Sequence, residues 1–221
     1  MTEKKALLLV GSPRGIEQST SGRLGGRLLD ALKGRGFETD KLHVHAAVRS
    51  PDALASALAA VAAADLVILS LPLYVDSFPA PVIVFLEKVA ERRTGGMADA
   101  AHGRAGRAGL FLLIQCGFPE SEQNATALAI AERFAAEVGW RWLGGLALGG
   151  VETYGGSAHE VLDLIGKALA EGRSAPDLAV KKAIPAWLYR VGGNIMWRRM
   201  AKKNGVAAKL RARPYEGEST G

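Results

Sequence analysis

Short uncharged apolar runs alternate along this chain with longer segments whose apolar residues recur at a helical period. Ala6-Leu7-Leu8-Leu9-Val10, Leu66-Val67-Ile68-Leu69 and Leu110-Phe111-Leu112-Leu113-Ile114 are the clearest runs. The pattern predicts strands near 5–11, 37–44, 65–71, 109–115 and 142–148. It predicts helices near 20–34, 52–64, 80–93, 121–138 and 157–172. Leu24, Leu28, Leu29 and Leu32 form the stripe of the first helix; Leu128, Ala131, Phe134, Ala135 and Val138 form that of the fourth. Near-continuous apolar strands alternating with helices imply a parallel sheet covered on both faces, a doubly wound α/β domain. In such sheets a ligand sits beyond the carboxyl ends of the strands, where the strand order reverses.

Composition narrows this only slightly. The 221 residues, 48% of them hydrophobic, suffice for one sizeable domain and a short appendage, divided here at 1–174 and 175–221. Cys116 is the single cysteine, which excludes a disulfide framework and an all-cysteine metal site. It reads as a small packing residue, since no histidine base stands beside it. His43, His45, His102 and His159 have no metal-ligand spacing and read as structural or surface groups. The charged start Met1-Thr2-Glu3-Lys4-Lys5 precedes too short an apolar run for an export signal, and a cytoplasmic protein is expected.

Charge changes the picture more. The net charge is +6, yet residues 175–221 hold ten Lys or Arg against three Asp or Glu. The preceding 174 residues are nearly neutral, with 18 basic and 19 acidic side chains. Within the basic extension Ile184, Leu188, Val191 and Ile195 recur at helical spacing, with Trp187, Trp197 and Met200 nearby, and Gly192-Gly193 is expected to interrupt them. The expectation is that this segment packs on the main domain or on a second subunit of a homo-oligomer. Peripheral contact with an anionic membrane is the second role considered. No nucleic-acid-binding module is visible, and no nucleic-acid partner is expected.

Candidate chemistry lies where predicted strands end. After the first strand come Gly11-Ser12-Pro13-Arg14 and then Ser19-Thr20-Ser21 at the start of a helix. The first N–H groups of a helix have no internal partner and carry partial positive charge, so hydroxyls and a guanidinium around them suit a phosphate. A nucleoside-triphosphate loop would need Gly-Lys-Ser/Thr after four residues, and a dinucleotide turn would need G-x-G-x-x-G. Neither spacing is present, which leaves a terminal phosphate monoester. The competing reading is that one of Ser19, Thr20 and Ser21 simply caps the helix. A second turn, Pro72-Leu73-Tyr74-Val75-Asp76-Ser77-Phe78-Pro79, comes after the third strand, and Cys116-Gly117-Phe118-Pro119-Glu120 after the fourth.

These three segments together resemble the flavin-contacting loops of the NAD(P)H-dependent FMN reductases, over about residues 4–172. The resemblance implies a flavodoxin-like five-stranded parallel sheet of order 2-1-3-4-5 with a helical basic C-terminal extension. It implies FMN as cofactor, NADH or NADPH as co-substrate and a small electron acceptor such as a quinone. Ser12, Arg14, Ser19, Thr20 and Ser21, with Gly11, would grip the phosphate. Pro72, Leu73, Tyr74 and Val75 would lie along the ring, and Cys116, Gly117 and Phe118 would reach its other side. Hydride transfer to a flavin requires no side-chain acid or base, so no catalytic residue is assigned and no metal site is expected. One branch of that family carries an iron–sulfur cluster, which a single cysteine cannot hold. A flavodoxin-like electron carrier without turnover is the alternative reading, and a ligand-binding module without turnover is a third.

Overall fold

The computed structural model describes residues 4–94, 108–150, 157–175, 177–180 and 185–212. They divide into two compact units, 1–182 and 183–221.

The first unit is built on a parallel sheet of β1 (Lys4–Val10), β2 (Phe37–His43), β3 (Leu66–Pro72), β4 (Gly109–Cys116), β5 (Arg141–Gly149) and β6 (Leu178–Val180). Its order is β2-β1-β3-β4-β5-β6. Successive residues of β1 point to opposite faces: Ala6, Leu8 and Val10 join one core and Leu7 and Leu9 the other. The first core takes residues from α1 (Thr20–Lys33) and α6 (Ser157–Ala170). The second takes residues from α2 (Val44–Ala47), α3 (Pro51–Ala63), α4 (Ala80–Thr94) and α5 (Ala125–Glu137). Burial on both faces explains why β1, β3 and β4 read as unbroken apolar runs rather than alternating ones.

The five expected strands are present, but the sheet has six. β6 is too short to show a periodicity, and tertiary contacts create it. The Ala175 N–H donates to the Leu143 carbonyl at 2.9 Å, and Asp177 Oδ1 accepts from the Gly145 N–H at 2.8 Å. A Cβ at Gly144, where φ is +98°, would strike the Ala175 carbonyl, so glycine is what admits this neighbour. The fourth expected helix begins later than its pattern suggests. Ser121–Asn124 form a 3-10 turn, and the α-helix starts at Ala125. Asn124 Nδ2 ties that turn by donating to the Ser121 carbonyl at 3.0 Å and toward Cys116 Sγ at 3.5 Å.

The second unit contains α7 (Ala186–Lys203), which continues through Gly192 and Gly193 rather than stopping there. Each glycine weakens a helix by about 1 kcal/mol relative to alanine without forbidding it. The large apolar residues of α7 are exposed, among them Trp187, Leu188, Val191, Ile195 and Trp197, while Ala201 is buried. Ile184 and His102, both named from the sequence, lie outside the described residues, as does the side chain of His159. Among the described residues no helix is long and apolar enough to cross a membrane.

Candidate functional site

The sheet order reverses between β1 and β3: the chain moves from β1 to one neighbour, β2, and then returns to the other side. The turns leaving β1, β3 and β4 therefore share the carboxyl edge of three adjacent strands, the place such sheets reserve for ligands.

The first turn is held from both sides. The Gly11 N–H donates to the Ser70 carbonyl at 2.8 Å, extending the pairing of β1 with β3 by one residue. A Cβ on Gly11 would lie 2.6 Å from Val82 Cγ2 and 2.9 Å from Leu71 Cβ, so only glycine lets the turn lie this close to β3 and α4. On the other side, His43 Nε2 stands 2.8 Å from the Ser12 carbonyl, and His45 Nε2 stands 3.2 Å from that of Gly11. A carbonyl only accepts, so each Nε2 carries the proton in these bonds. The two rings stack with centroids 5.6 Å apart and planes inclined by 16°. Both histidines brace the turn after β1. No sequence spacing could show this, because the partners are more than 30 residues apart; only their place at the carboxyl end of β2 was a hint.

The hydroxyls of this turn divide their work. Ser19 caps α1: its Oγ accepts from the Gly22 N–H at 3.0 Å and donates to the Ile16 carbonyl at 3.1 Å. Ser21 is fully buried, and its Oγ accepts from Gln115 Nε2 at 2.9 Å while its carbonyl accepts from Ser70 Oγ at 2.8 Å. Thr20 Oγ1 accepts from Arg23 at 3.1 Å on the surface. Ser12 Oγ accepts from the Arg14 N–H at 3.2 Å, and the Arg14 side chain is exposed without an ion-pair partner among the described residues. The cap reading of the serine cluster thus describes Ser19, and Ser21 serves the interior. The N–H groups of Thr20 and Ser21, at the first two helical positions, bond no acceptor among the described residues. They and Arg14 are what the turn offers to an anion.

The second turn is a tight hairpin. Tyr74 and Ser77 exchange both backbone hydrogen bonds, at 2.9 and 3.0 Å, around Val75 and Asp76. Both central residues have positive φ, 48° and 59°, the requirement of a two-residue hairpin loop usually met by Asn or Gly. A β-branched valine in that region is strained. Tyr74 and Val75 are 46% and 98% exposed. Pro72 and Leu73 are half-buried, and the Leu73 N–H donates to the Gln115 carbonyl at 2.7 Å, tying this turn to β4.

The third turn hangs on Cys116. Its buried Sγ donates toward the Phe118 carbonyl at 3.5 Å and that of Glu120 at 3.6 Å, and it accepts from Asn124. Burial pushes the thiol pKa up, and the bond from Asn124 opposes that only in part. Cys116 is thereby a protonated packing and hydrogen-bonding residue rather than a nucleophile. Phe118 is 55% exposed, and a Cβ at Gly117 would meet nothing within 4 Å.

Sequence reasoning missed Gln115 and Ser70, polar residues inside apolar strands. Their positions in the last residues of β4 and β3 were the available signal. Gln115 Oε1 has no hydrogen-bond partner among the described residues.

The comparisons agree with the fold. A family model described as the flavodoxin-like fold matches residues 4–159. Among solved structures, an apo NADH:FMN oxidoreductase, EMOB, superposes with a TM-score of 0.57 at 16% identity, over 78% of this chain and 91% of that one. A flavodoxin-like WrbA-like protein from Agrobacterium tumefaciens gives 0.56 at 12% identity, over 77% and 97%. A Streptococcus pneumoniae flavodoxin gives 0.55 at 13% identity, over 76% and 99%. At such identities the likeness is one of fold. No curated protein matches the chain. The family match covers well over half the chain, the strand order reverses beside β1, and the chain belongs to the Flavodoxin_2 family of flavodoxin-like proteins.

Proposed function

We propose that this protein binds FMN and catalyses electron transfer from NADH or NADPH to a small acceptor such as a quinone. The observation that carries the reading is the chemistry shared along one sheet edge. A helix N-terminus with unpaired N–H groups and an exposed Arg14 lies beyond β1, and exposed apolar side chains, Tyr74 and Phe118, lie beyond β3 and β4. That donor set fits a ligand with a phosphate at one end and a planar, largely apolar ring at the other.

Arg14 and the N–H groups of Thr20 and Ser21 would hold the phosphate, with His43 and His45 fixing the turn that presents them. Tyr74 and the hairpin it closes would border the ring, and Gly117 would let the main chain approach it. When bound, FMN supplies the two-electron chemistry, accepting hydride from the nicotinamide and passing electrons to the acceptor. The residues of the three turns bind, orient and limit water access; none is asked to move a proton. The NADH:FMN oxidoreductase among the structural relatives lends this reading support, as does the absence of a G-x-G-x-x-G turn suited to a bridging pyrophosphate.

The test is to denature the purified protein and identify the released flavin, then to measure NADH and NADPH oxidation with a panel of acceptors. FMN and steady turnover are expected. FAD, or no flavin after reconstitution, overturns the binding step. FMN without turnover leaves an electron carrier instead.

A further inference from the structure

The feature that flavin binding leaves unused is α7. Between Asp177 and Glu216 the sequence contains no acidic residue, while α7 and the turn after it carry Arg190, Arg198, Arg199, Lys202, Lys203, Lys209 and Arg211. The same helix exposes Trp187, Leu188, Val191, Ile195, Met196 and Trp197, the two tryptophans at 66% and 60%. A soluble surface helix normally buries one apolar stripe and wets the other. In α7 the two kinds of residue are instead separated along the axis. The first three turns are apolar apart from Arg190 and Asn194, and the basic residues crowd the last two turns, around Met200, and the short segment after them.

The occupant of such a surface must accept both aromatic rings and a dense positive charge. A second copy of the same segment meets the apolar requirement but brings an equal positive charge, which repels. A nucleic acid meets the charge requirement but gives no cover to valine, isoleucine and methionine. Anionic phospholipid meets both: tryptophan and tyrosine favour the headgroup boundary, and a cluster of Lys and Arg is drawn to acidic lipid. Length decides the mode of contact. From Trp187 to Trp197 the helix rises about 15 Å, half of the roughly 30 Å of a hydrocarbon core. No helix among the described residues has the length and hydropathy to span a bilayer.

We infer that residues 185–212 form a monotopic anchor for anionic membrane surfaces, the apolar turns of α7 entering the interface and Arg198, Arg199, Lys202 and Lys203 remaining with the headgroups. This holds whether or not the first unit binds FMN.

The full-length protein should co-sediment with vesicles of phosphatidylcholine and phosphatidylglycerol at 3:1 and not with phosphatidylcholine alone. Tryptophan emission should shift to the blue on binding and be quenched by brominated acyl chains. Trp187 and Trp197 are the exposed tryptophans, whereas Trp140 is buried and Trp142 half-buried. Reversing Arg198, Arg199, Lys202 and Lys203 to Glu should weaken partitioning about a hundredfold or more. W187S/W197S should weaken it while leaving the charge intact. Circular dichroism and thermal unfolding of each variant establish that the first unit is folded. Equal binding to neutral vesicles, no binding to either, or a blue shift without bromine quenching overturns the inference. So does tighter retention on duplex DNA than on the anionic vesicles, or a concentration-dependent dimer that disappears with W187S/W197S.

Discussion

Gln115 Nε2 donates to Ser21 Oγ at 2.9 Å, joining β4 to the first turn of α1 through two buried side chains 94 residues apart. With Ser70 Oγ on the Ser21 carbonyl at 2.8 Å, it fixes the N-terminus of α1 to two neighbouring strands. A residue expected to grip phosphate thus turns its hydroxyl to the interior.

Ser21→Ala should therefore cost stability as well as ligand affinity. It removes one hydrogen bond and strands Gln115 Nε2 in a buried position, a loss of about 1–3 kcal/mol. Adding Gln115→Leu removes the stranded partner, and the double variant should lose less than the sum of the single losses. Urea unfolding of the three variants measures the coupling; strictly additive losses would show that the two residues act separately.

Arg14→Ala should behave differently. Its side chain is exposed, so the fold should keep its stability. A hydrogen bond to a charged group contributes about 1.5–3 kcal/mol. The FMN dissociation constant should then rise about 10- to 100-fold, while riboflavin, which lacks the phosphate, binds as before. Fluorescence titration with both flavins is the check, and equal losses for the two would remove Arg14 from the phosphate site.

Val75 is 98% exposed at φ 48°, with nothing to lose in packing and a strained backbone to relieve. Val75→Asn, whose side chain tolerates that region, should stabilise the protein by about 1 kcal/mol. The melting temperature should rise by about 2–4 °C for a chain of this size. A fall in melting temperature would show that the hairpin relies on the valine side chain.

Burial of the Cys116 thiol sets a pH dependence of known sign. Its folded pKa lies above the unfolded value. The corresponding stability is therefore complete below the ordinary thiol range, about 8.5, and is lost as pH rises through the folded pKa. Unfolding free energy should decline above about pH 8.5 in the wild type and decline less in Cys116→Ala. Iodoacetamide should label the native protein far more slowly than the urea-unfolded chain at pH 8, and equal rates would refute the account.

The sequence by itself determined the five long strands, the five long helices of the first unit and the three turns at strand ends, though not the short α2. Each rests on local chemistry: unbroken apolar runs for strands buried on two faces, a 3.6-residue stripe for helices, Pro and Gly at the turns. Cys116 as a packing residue was legible for the same reason, whereas Ser19 as a helix cap was only the competing reading of its cluster. Tertiary structure decided whatever depends on distant partners. β6 exists because Gly144 leaves room for the Ala175 carbonyl and the Gly145 N–H holds Asp177 Oδ1 beside β5. The direction of the Ser21 hydroxyl was set by Gln115, and the role of His43 and His45 by carbonyls on a turn more than 30 residues away. α7 runs through Gly192-Gly193 although propensity argued for a break. Hydrophobic period is a property of a segment, whereas hydrogen-bond partnership is a property of two segments brought together. Only the folded chain supplies the second.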